Sequence, residues 1–365
     1  MTHAPAPSAP PFCPNPACPF HTAPEGWRYQ RDGYHFRQAP PHRVQRYRCC
    51  HCQRRFSDQT FRLTYWLRRP ELILPVFHGL LSCSCLRQIA RAIDCSPQTV
   101  LLHANRLGRH CQLFHEALRP RDGITESVAM DGFFSFEYSQ YHPTSYNMLV
   151  GRKSYFLYGF TVTELRRSGA MTRQQKAYRI ENEQRLGRPD PRATERDCAE
   201  LLCLVAPKPQ ALELHTDEHA DYPRAIARAV HLEVTHRTVS SRASRTPQNP
   251  IFSVNLNDQQ VRHAGANHKR ETIAFAKRRQ MAIWRLAVFV VWRNYMKWAS
   301  ERRHRDTPAM RLGLVDHRLK PEEVLTARLF PSRVRLPERW GEYYWGKVAS
   351  REFPNGREHR LTYAA

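Results

Sequence analysis

Five cysteines fall within the first 52 residues of this 365-residue chain, and four of them form two close pairs. Cys13 and Cys18 end the run Cys-Pro-Asn-Pro-Ala-Cys, and Cys49 and Cys52 end the run Cys-Cys-His-Cys. Paired thiolates at this spacing fold into tight knuckles, and two knuckles make a tetrahedral site for one structural zinc ion. Cys50, His21 and His51 are spare donors beside it. Two aspartates offer a different chemistry. Asp131 interrupts Val128-Ala-Met-Asp-Gly-Phe-Phe, a run otherwise built for burial, and Asp217 closes Leu214-His-Thr-Asp. Two such carboxylates on neighbouring strands can hold divalent metal ions that activate a water or a 3′-hydroxyl and stabilise a leaving oxygen. A lone aspartate in a strand is more often a turn residue. Two at corresponding points of one strand pattern outweigh that reading.

The elements that would position these groups follow from periodicity. A Pro/Ala lead, residues 1–12, is expected to be disordered, and a cysteine unit, 13–61, to form a zinc ribbon. Arg46-Tyr-Arg supplies its strand and Phe56 its apolar plug; a unit this small needs the metal to fold. Residues 70–119 read as helical: Glu71 to Leu81, Leu86 to Ile93 and Pro97 to about Leu118. The last two, separated by Asp94-Cys95, have the layout of a helix-turn-helix, with Ser96 as N-cap and Pro97 in the first turn. Ile89, Ala90, Ile93, Val100 and Leu107 face inward, leaving Gln98, Thr99, His103 and Arg106 for a major groove. An ordinary helical hairpin has the same pattern, so the motif is moderate by itself.

After a turn-rich break at 119–123 the period changes. Ser127 to Tyr138, Tyr146 to Gly151 and Tyr155 to Thr163 predict three antiparallel strands. Residues 166–192 read as a mobile, partly helical insertion. Helix Thr194 to Val205, strand Ala211 to His215, helix Tyr222 to Val230 and strand Leu232 to Val239 follow as an alternating unit. The two aspartates then share one edge of a ribonuclease-H-like sheet. Helical segments run to about Arg303, and residues 304–365 form an extension without an assigned role.

Charge narrows the partner. The net charge is +24, and only eight of the 57 basic residues are Lys. Arginine grips phosphate with a planar fork, whereas lysine is a point charge. Residues 1–70 hold eleven Arg against Glu25, Asp32 and Asp58; residues 266–305 hold eleven Lys or Arg against Glu271 and Glu301. Two basic blocks around a more neutral middle point to a long polyanion touched twice. Lys269, Arg270, Lys277, Arg278 and Arg279 of the second block, with Arg262 just before it, are the expected contacts. An Arg-rich codon bias over a plain solvated surface is the competing explanation. No apolar run reaches membrane length, and no basic start precedes the first apolar stretch, so a cytoplasmic, nucleoid-associated protein without membrane contact is expected. Eleven cysteines are then metal ligands and buried thiols rather than a disulfide framework.

In sequence order these motifs resemble the insertion-sequence transposases of the DDE class that carry an N-terminal zinc ribbon and helix-turn-helix. The matching text is Cys-Pro-Asn-Pro at 13, Arg-Tyr-Arg-Cys at 46, Leu-Arg-Gln-Ile-Ala at 86, Met-Asp at 130, Thr-Asp at 216 and Asn-His-Lys-Arg-Glu-Thr-Ile-Ala-Phe at 267, spanning about residues 13–303. The resemblance implies a multidomain chain: zinc ribbon, helical helix-turn-helix domain, then an α/β ribonuclease-H-like catalytic core over 125–303 with a helical C-terminal part. It implies magnesium or manganese, transesterification at element ends, and binding of double-stranded DNA, the terminal inverted repeats of its own element, as a homo-oligomer. The insertion at 166–192 departs from the pattern. So does the third acid, which the family takes from a later helix within Asn-x-x-Glu; Asn255-Leu-Asn-Asp258 gives that spacing with Asp in the acid's place. Matching back from Phe275 puts Asn255 at the acidic position instead, and Glu271 is a third candidate. Asn255, Asp258 and Arg262 share one helical face. The alternative function is a catalytically inactive, transposase-derived DNA-binding protein or regulator.

Overall fold

The computed structural model describes residues 9–326 and 328–353, a mixed α/β multidomain chain with a cysteine cluster near its N-terminus. Strands β1 (Tyr29–Phe36), β2 (Arg43–Cys49) and β3 (Arg55–Ser57) form a small antiparallel sheet in that order. Its core is its own: Cys13, Cys18, Tyr47, Cys49 and Phe56 pack together. Phe56 acts as the plug, with its ring 5.4 Å from Tyr47, 5.7 Å from Trp27 and 5.9 Å from Phe61. The expected disordered lead, residues 1–12, does not hold at its end. Phe12 sits edge-on to His21, Phe61 and Phe330, an apolar anchor that fixes the chain just before Cys13; residues 1–8 lie outside the described residues.

Three helices follow, α1 (Ile73–Leu81), α2 (Leu86–Ala92) and α3 (Pro97–Leu118). Ser96 caps α3 by accepting from the Thr99 amide at 3.1 Å, and Pro97 occupies the first turn, where its missing N–H is not needed. The helices do not form a core of their own. Val100, Ala104, Leu107 and Cys111 of α3 belong to the same buried cluster as the central sheet, so 119–123 is a turn within one continuous core.

The central sheet comprises β4 (Val128–Phe136), β5 (Pro143–Gly151), β6 (Leu157–Glu164), β7 (Gln210–Thr216) and β8 (Leu232–Thr238), in spatial order β6-β5-β4-β7-β8. The first three pair antiparallel; β7 runs parallel to β4 and to β8. Between β6 and β7 the chain forms α4 (Arg173–Leu186) and α5 (Ala193–Val205), and α6 (Asp221–Arg228) links β7 to β8. Helix α4 occupies the 166–192 insertion, where Arg166 pairs with Glu183 at 2.8 Å and Arg185 with Glu352 at 2.6 Å.

Helices α7 (Phe252–Ala264) and α8 (Arg279–Val291) complete the core. Nearly every α8 residue is buried, as its almost unbroken apolar run requires of a helix surrounded by protein. Short helices α9 (Pro308–Arg311), α10 (Pro321–Leu325) and α11 (Glu338–Trp345) follow. The aromatic cluster of the extension is structural: Trp340 Nε1 donates to Phe160 O at 3.0 Å and the Val162 amide donates to Tyr343 Oη at 3.0 Å. These side chains cover β6, an edge that would otherwise expose unpaired backbone. No helix of the described residues is long and apolar enough to cross a membrane.

Candidate metal centre and carboxylate site

The knuckles deliver the four thiols to one point. Donor atoms of Cys13, Cys18, Cys49 and Cys52 all lie within 4.8 Å of one another, with Cys13 Sγ and Cys52 Sγ 3.5 Å apart. Bonds of about 2.3 Å to a tetrahedral zinc place sulfurs about 3.8 Å apart, so this group can bind a structural zinc ion. The surroundings of Cys49 favour a thiolate even without metal, whereas burial pushes the Cys13 and Cys18 thiols up. Burial would push the Cys49 thiol up, yet the Cys52 amide, the Trp27 indole and the His51 amide hold it down to about 7. Trp27 Nε1 donates to Cys49 Sγ at 3.2 Å. Cys50 is exposed, and His21 is committed elsewhere, bonded to Cys13 O at 2.7 Å and Ser332 Oγ at 2.9 Å.

The second cluster lies where β4 and β7 meet. Parallel pairing sets Ala129 beside His215, which brings Asp131, two residues further along β4, and Asp217, just past the end of β7, to neighbouring positions. Asp131 is half-buried and its carboxyl is pushed up from 3.8 to about 6, first by burial and then by the charge of Asp217, against the Gly132 amide that donates to it at 2.7 Å. Asp258 joins from α7. Burial and the charge of Asp131 push its carboxyl well above the usual range, and its Oδ1 is buried without a hydrogen-bond partner among the described residues. Tyr222 of α6 stands at the centre, with its hydroxyl 3.5 Å from Asp131 Oδ1. Burial raises its pKa, and Asp131, Cys198, Asp217 and Asp258 raise it further.

Asp131 is repelled by Asp217 and itself repels Asp258, which a hard divalent cation with oxygen ligands would relieve. The donor set and the orphaned Asp258 oxygen fit such an ion. Their spacing is looser than that of the thiols: among the described residues only the four cysteines bring three or more donors within 4.8 Å of one another, so one ion would need a side-chain shift to collect all three carboxylates. Asn255 is buried on the same helix, one turn before Asp258, and Glu271 is exposed in the irregular stretch after α7. Sequence reasoning missed two neighbours. Tyr222 reads from the sequence only as a helix residue, and Arg245, in the loop before α7, lowers the pKa of both Asp131 and Asp258. No local signal marks either, because the contacts form only when α6 and the loop close over the sheet edge.

Several expected DNA contacts are engaged inside the protein. His103 is buried, its ring bonded to Thr99 O and Arg69 O at 2.8 Å each. Arg106 donates to Leu63 O at 2.7 Å and to Tyr65 O. Both are corrections to a groove-facing role: the chain leaving the ribbon covers this face of α3. Arg279 is likewise internal, donating to Glu137 Oε1 at 2.8 Å and Glu164 Oε2 at 3.1 Å. Arg262 is half-buried and holds His268 O and Phe134 O, so it ties α7 to β4 rather than standing free. Gln98, Lys269, Arg270, Lys277 and Arg278 are exposed and Thr99 half-exposed. The Asn267-His268 pair is an anchor, with His268 packed on Phe133 and Tyr146 and held neutral by burial, its pKa lowered to about 3.

No protein-family model matches the chain, and no curated protein matches it.

Proposed function

We propose that this protein is a DNA transposase of the DDE class, in which Asp131, Asp217 and Asp258 hold the magnesium or manganese ions of a ribonuclease-H-like core. The observation that carries this reading is the meeting of three carboxylates around Tyr222, where a parallel strand joins an antiparallel meander. The strand order supports it: three antiparallel strands, then two parallel ones beside the first, are what a ribonuclease-H-like core would require. When bound, the divalent ions would polarise the scissile phosphate and lower the pKa of the attacking water or hydroxyl. The chain's own part would be to hold the acids at the sheet edge, with the Tyr222 hydroxyl against Asp131 and the charge of Arg245 partly offsetting that of Asp131 and Asp258.

DNA contact in this reading falls to the exposed start of α3, Gln98 and Thr99, and to the exposed cations Lys269, Arg270, Lys277 and Arg278. Zinc would organise the ribbon beside α3. One observation favours the catalytically inactive alternative, a DNA-binding regulator: the three carboxylates do not converge as tightly as the thiols do. Incubating the protein with DNA carrying the flanks of its own gene, with magnesium or manganese, separates the two. Strand cleavage and joining that vanish in Asp131→Asn and Asp258→Ala, each folded, support the enzyme. An inert wild type that still binds those flanks supports the regulator.

A further inference from the structure

A cavity of about 60 Å³ lies between α3, the chain leaving the ribbon and the C-terminal extension, lined by Arg106, Arg109, Arg328, Leu63, Tyr65 and Tyr344 among others. Among the described residues no carboxylate lines it, and none of the three arginines makes an ion pair. Arg106 and Arg109 are three residues apart on α3 and so point the same way. Arg106 rests on neutral carbonyls of Leu63 and Tyr65, while Arg328 Nη1 donates to Thr60 O at 3.4 Å and its guanidinium lies 5.1 Å from the Tyr65 ring and 4.9 Å from the Phe330 ring. Arg109 makes no hydrogen bond among the described residues; its guanidinium lies 5.5 Å from the Trp284 ring.

Burial lowers all three, and neighbouring guanidinium charge adds to it at Arg106 (from Arg109 and Arg328) and at Arg109 (from Arg328); Arg106 and Arg109 fall to about 10, and an arginine so placed remains protonated at neutral pH. Three positive charges therefore meet in a half-buried space without a carboxylate counterion among the described residues. Some buried arginines here are matched, Arg119 donating to Glu116 at 2.6 Å and Arg279 pairing with Glu137 and Glu164, whereas Arg285 and Arg293 are buried singly without a carboxylate. A larger cavity of about 400 Å³ beside β6 is arginine-lined too, but its Arg279, Arg339 and Arg351 face Glu164 or Asp197. The small cavity is different in kind. Concentrated cation with forked donors and no acid is the chemistry of an oxyanion site. A single water needs about 10–15 Å³, so the space suits one tetrahedral oxyanion and excludes a nucleoside.

We propose that Arg106, Arg109 and Arg328 form a binding site for a single phosphate group, which ties the chain leaving the ribbon to α3 and the C-terminal extension. The site does not depend on the transposase reading. The phosphate is either free or carried on a DNA strand, and the two sources are separable.

The test uses the full-length, zinc-loaded protein and inorganic phosphate, titrated against chloride at matched ionic strength. Wild type is expected to show a saturable rise in melting temperature with a stoichiometry of one. Arg109→Gln and Arg328→Gln should each weaken phosphate binding by about tenfold or more. Because they remove repulsion, both should be at least as stable as wild type without phosphate, a result a merely structural arginine would not give. Lys176→Ala, at an exposed cation of α4, should bind phosphate as wild type does. No saturable phosphate effect in wild type, or the same effect in Arg109→Gln, overturns the proposal. If Arg109→Gln also lowers affinity for duplex DNA and free phosphate competes with that DNA, the phosphate belongs to DNA. If DNA affinity is unchanged while phosphate binding is lost, the site takes the free anion.

Discussion

Tyr222 Oη lies 3.5 Å from Asp131 Oδ1, joining α6 to β4 across 91 positions of sequence. The contact sits where three acids are crowded, and its consequence is electrostatic. Asp131 is protonated more readily in the fold than in the unfolded chain, its pKa raised from 3.8 to about 6. Folding therefore takes up a proton between those values. Stability from this group is complete below about 3.8 and lost as pH rises through about 6. At pH 7 the ionised carboxylate is a net cost of roughly 3 kcal/mol. Asp131→Asn should accordingly raise stability toward urea at pH 7 by about 1–3 kcal/mol and give no gain at pH 4. The measurement is made with zinc retained and magnesium absent. A loss of stability at pH 7 would show that the carboxylate is matched by a cation.

Magnesium should reverse that cost. Ligand bound only by the native state stabilises it by mass action, so millimolar magnesium should raise the melting temperature of wild type. Asp131→Asn and Asp258→Ala should not respond. An equal rise in all three would place the ion elsewhere.

The Tyr222 hydroxyl lowers the Asp131 pKa by donating to its charged form. Removing it should let the carboxyl rise further. A long hydrogen bond of this kind is worth about 0.5 kcal/mol, or about 0.4 pH unit. Tyr222→Phe should then move the acid limb of magnesium binding upward by about that amount, with binding at pH 8.5 little changed. An unmoved limb would reduce Tyr222 to packing.

Much of this arrangement is legible in the sequence. Every strand of the central sheet and α3 lies within a few residues of the expected span, because period-two runs and the Ser96-Pro97 start are local signals. Asp131 stands out because it interrupts a run built for burial and Asp217 because it closes a strand, whereas Asp258 is reached only through the Asn-x-x-acid spacing that the resemblance implies, beside Asn255 and Glu271. The fate of α3's outward face is not. His103 and Arg106 read as groove contacts because a helical wheel shows which residues share a face, not what covers it; the chain leaving the ribbon does so. The aromatic extension is opaque for the same reason. Trp340 and Tyr343 act on β6, about 180 residues earlier in the chain.

The zinc site predicts a cooperative loss. One equivalent of zinc per chain is expected by metal analysis. Cys49→Ser should abolish it and unfold the three-stranded sheet, since Tyr47, Cys49 and Phe56 share one small core. Cys50→Ser, altering an exposed thiol, should retain both metal and fold. A folded, zinc-free Cys49→Ser protein would refute the assignment.

The exposed cations and the buried arginine beside them should respond in opposite ways. Lys269, Arg270 and Lys277 lie on the irregular stretch between α7 and α8, where phosphate contact would carry no sequence information. Changing each to alanine should weaken binding of any duplex and reduce the slope of log affinity against log salt by about one for every phosphate no longer neutralised. Melting temperature should hardly change, since surface charges contribute little to stability. Arg279 begins α8 immediately after this stretch but faces the other way, donating to Glu137 and Glu164 with its side chain almost wholly buried. Arg279→Ala strands Glu137 without its counterion, and breaking such a pair costs about 3–5 kcal/mol. The variant should therefore be destabilised by several kilocalories per mole while its folded fraction keeps the wild-type salt slope. If Arg279→Ala instead remained stable and lost salt dependence, its guanidinium would be reaching DNA and the internal pairing would be wrong.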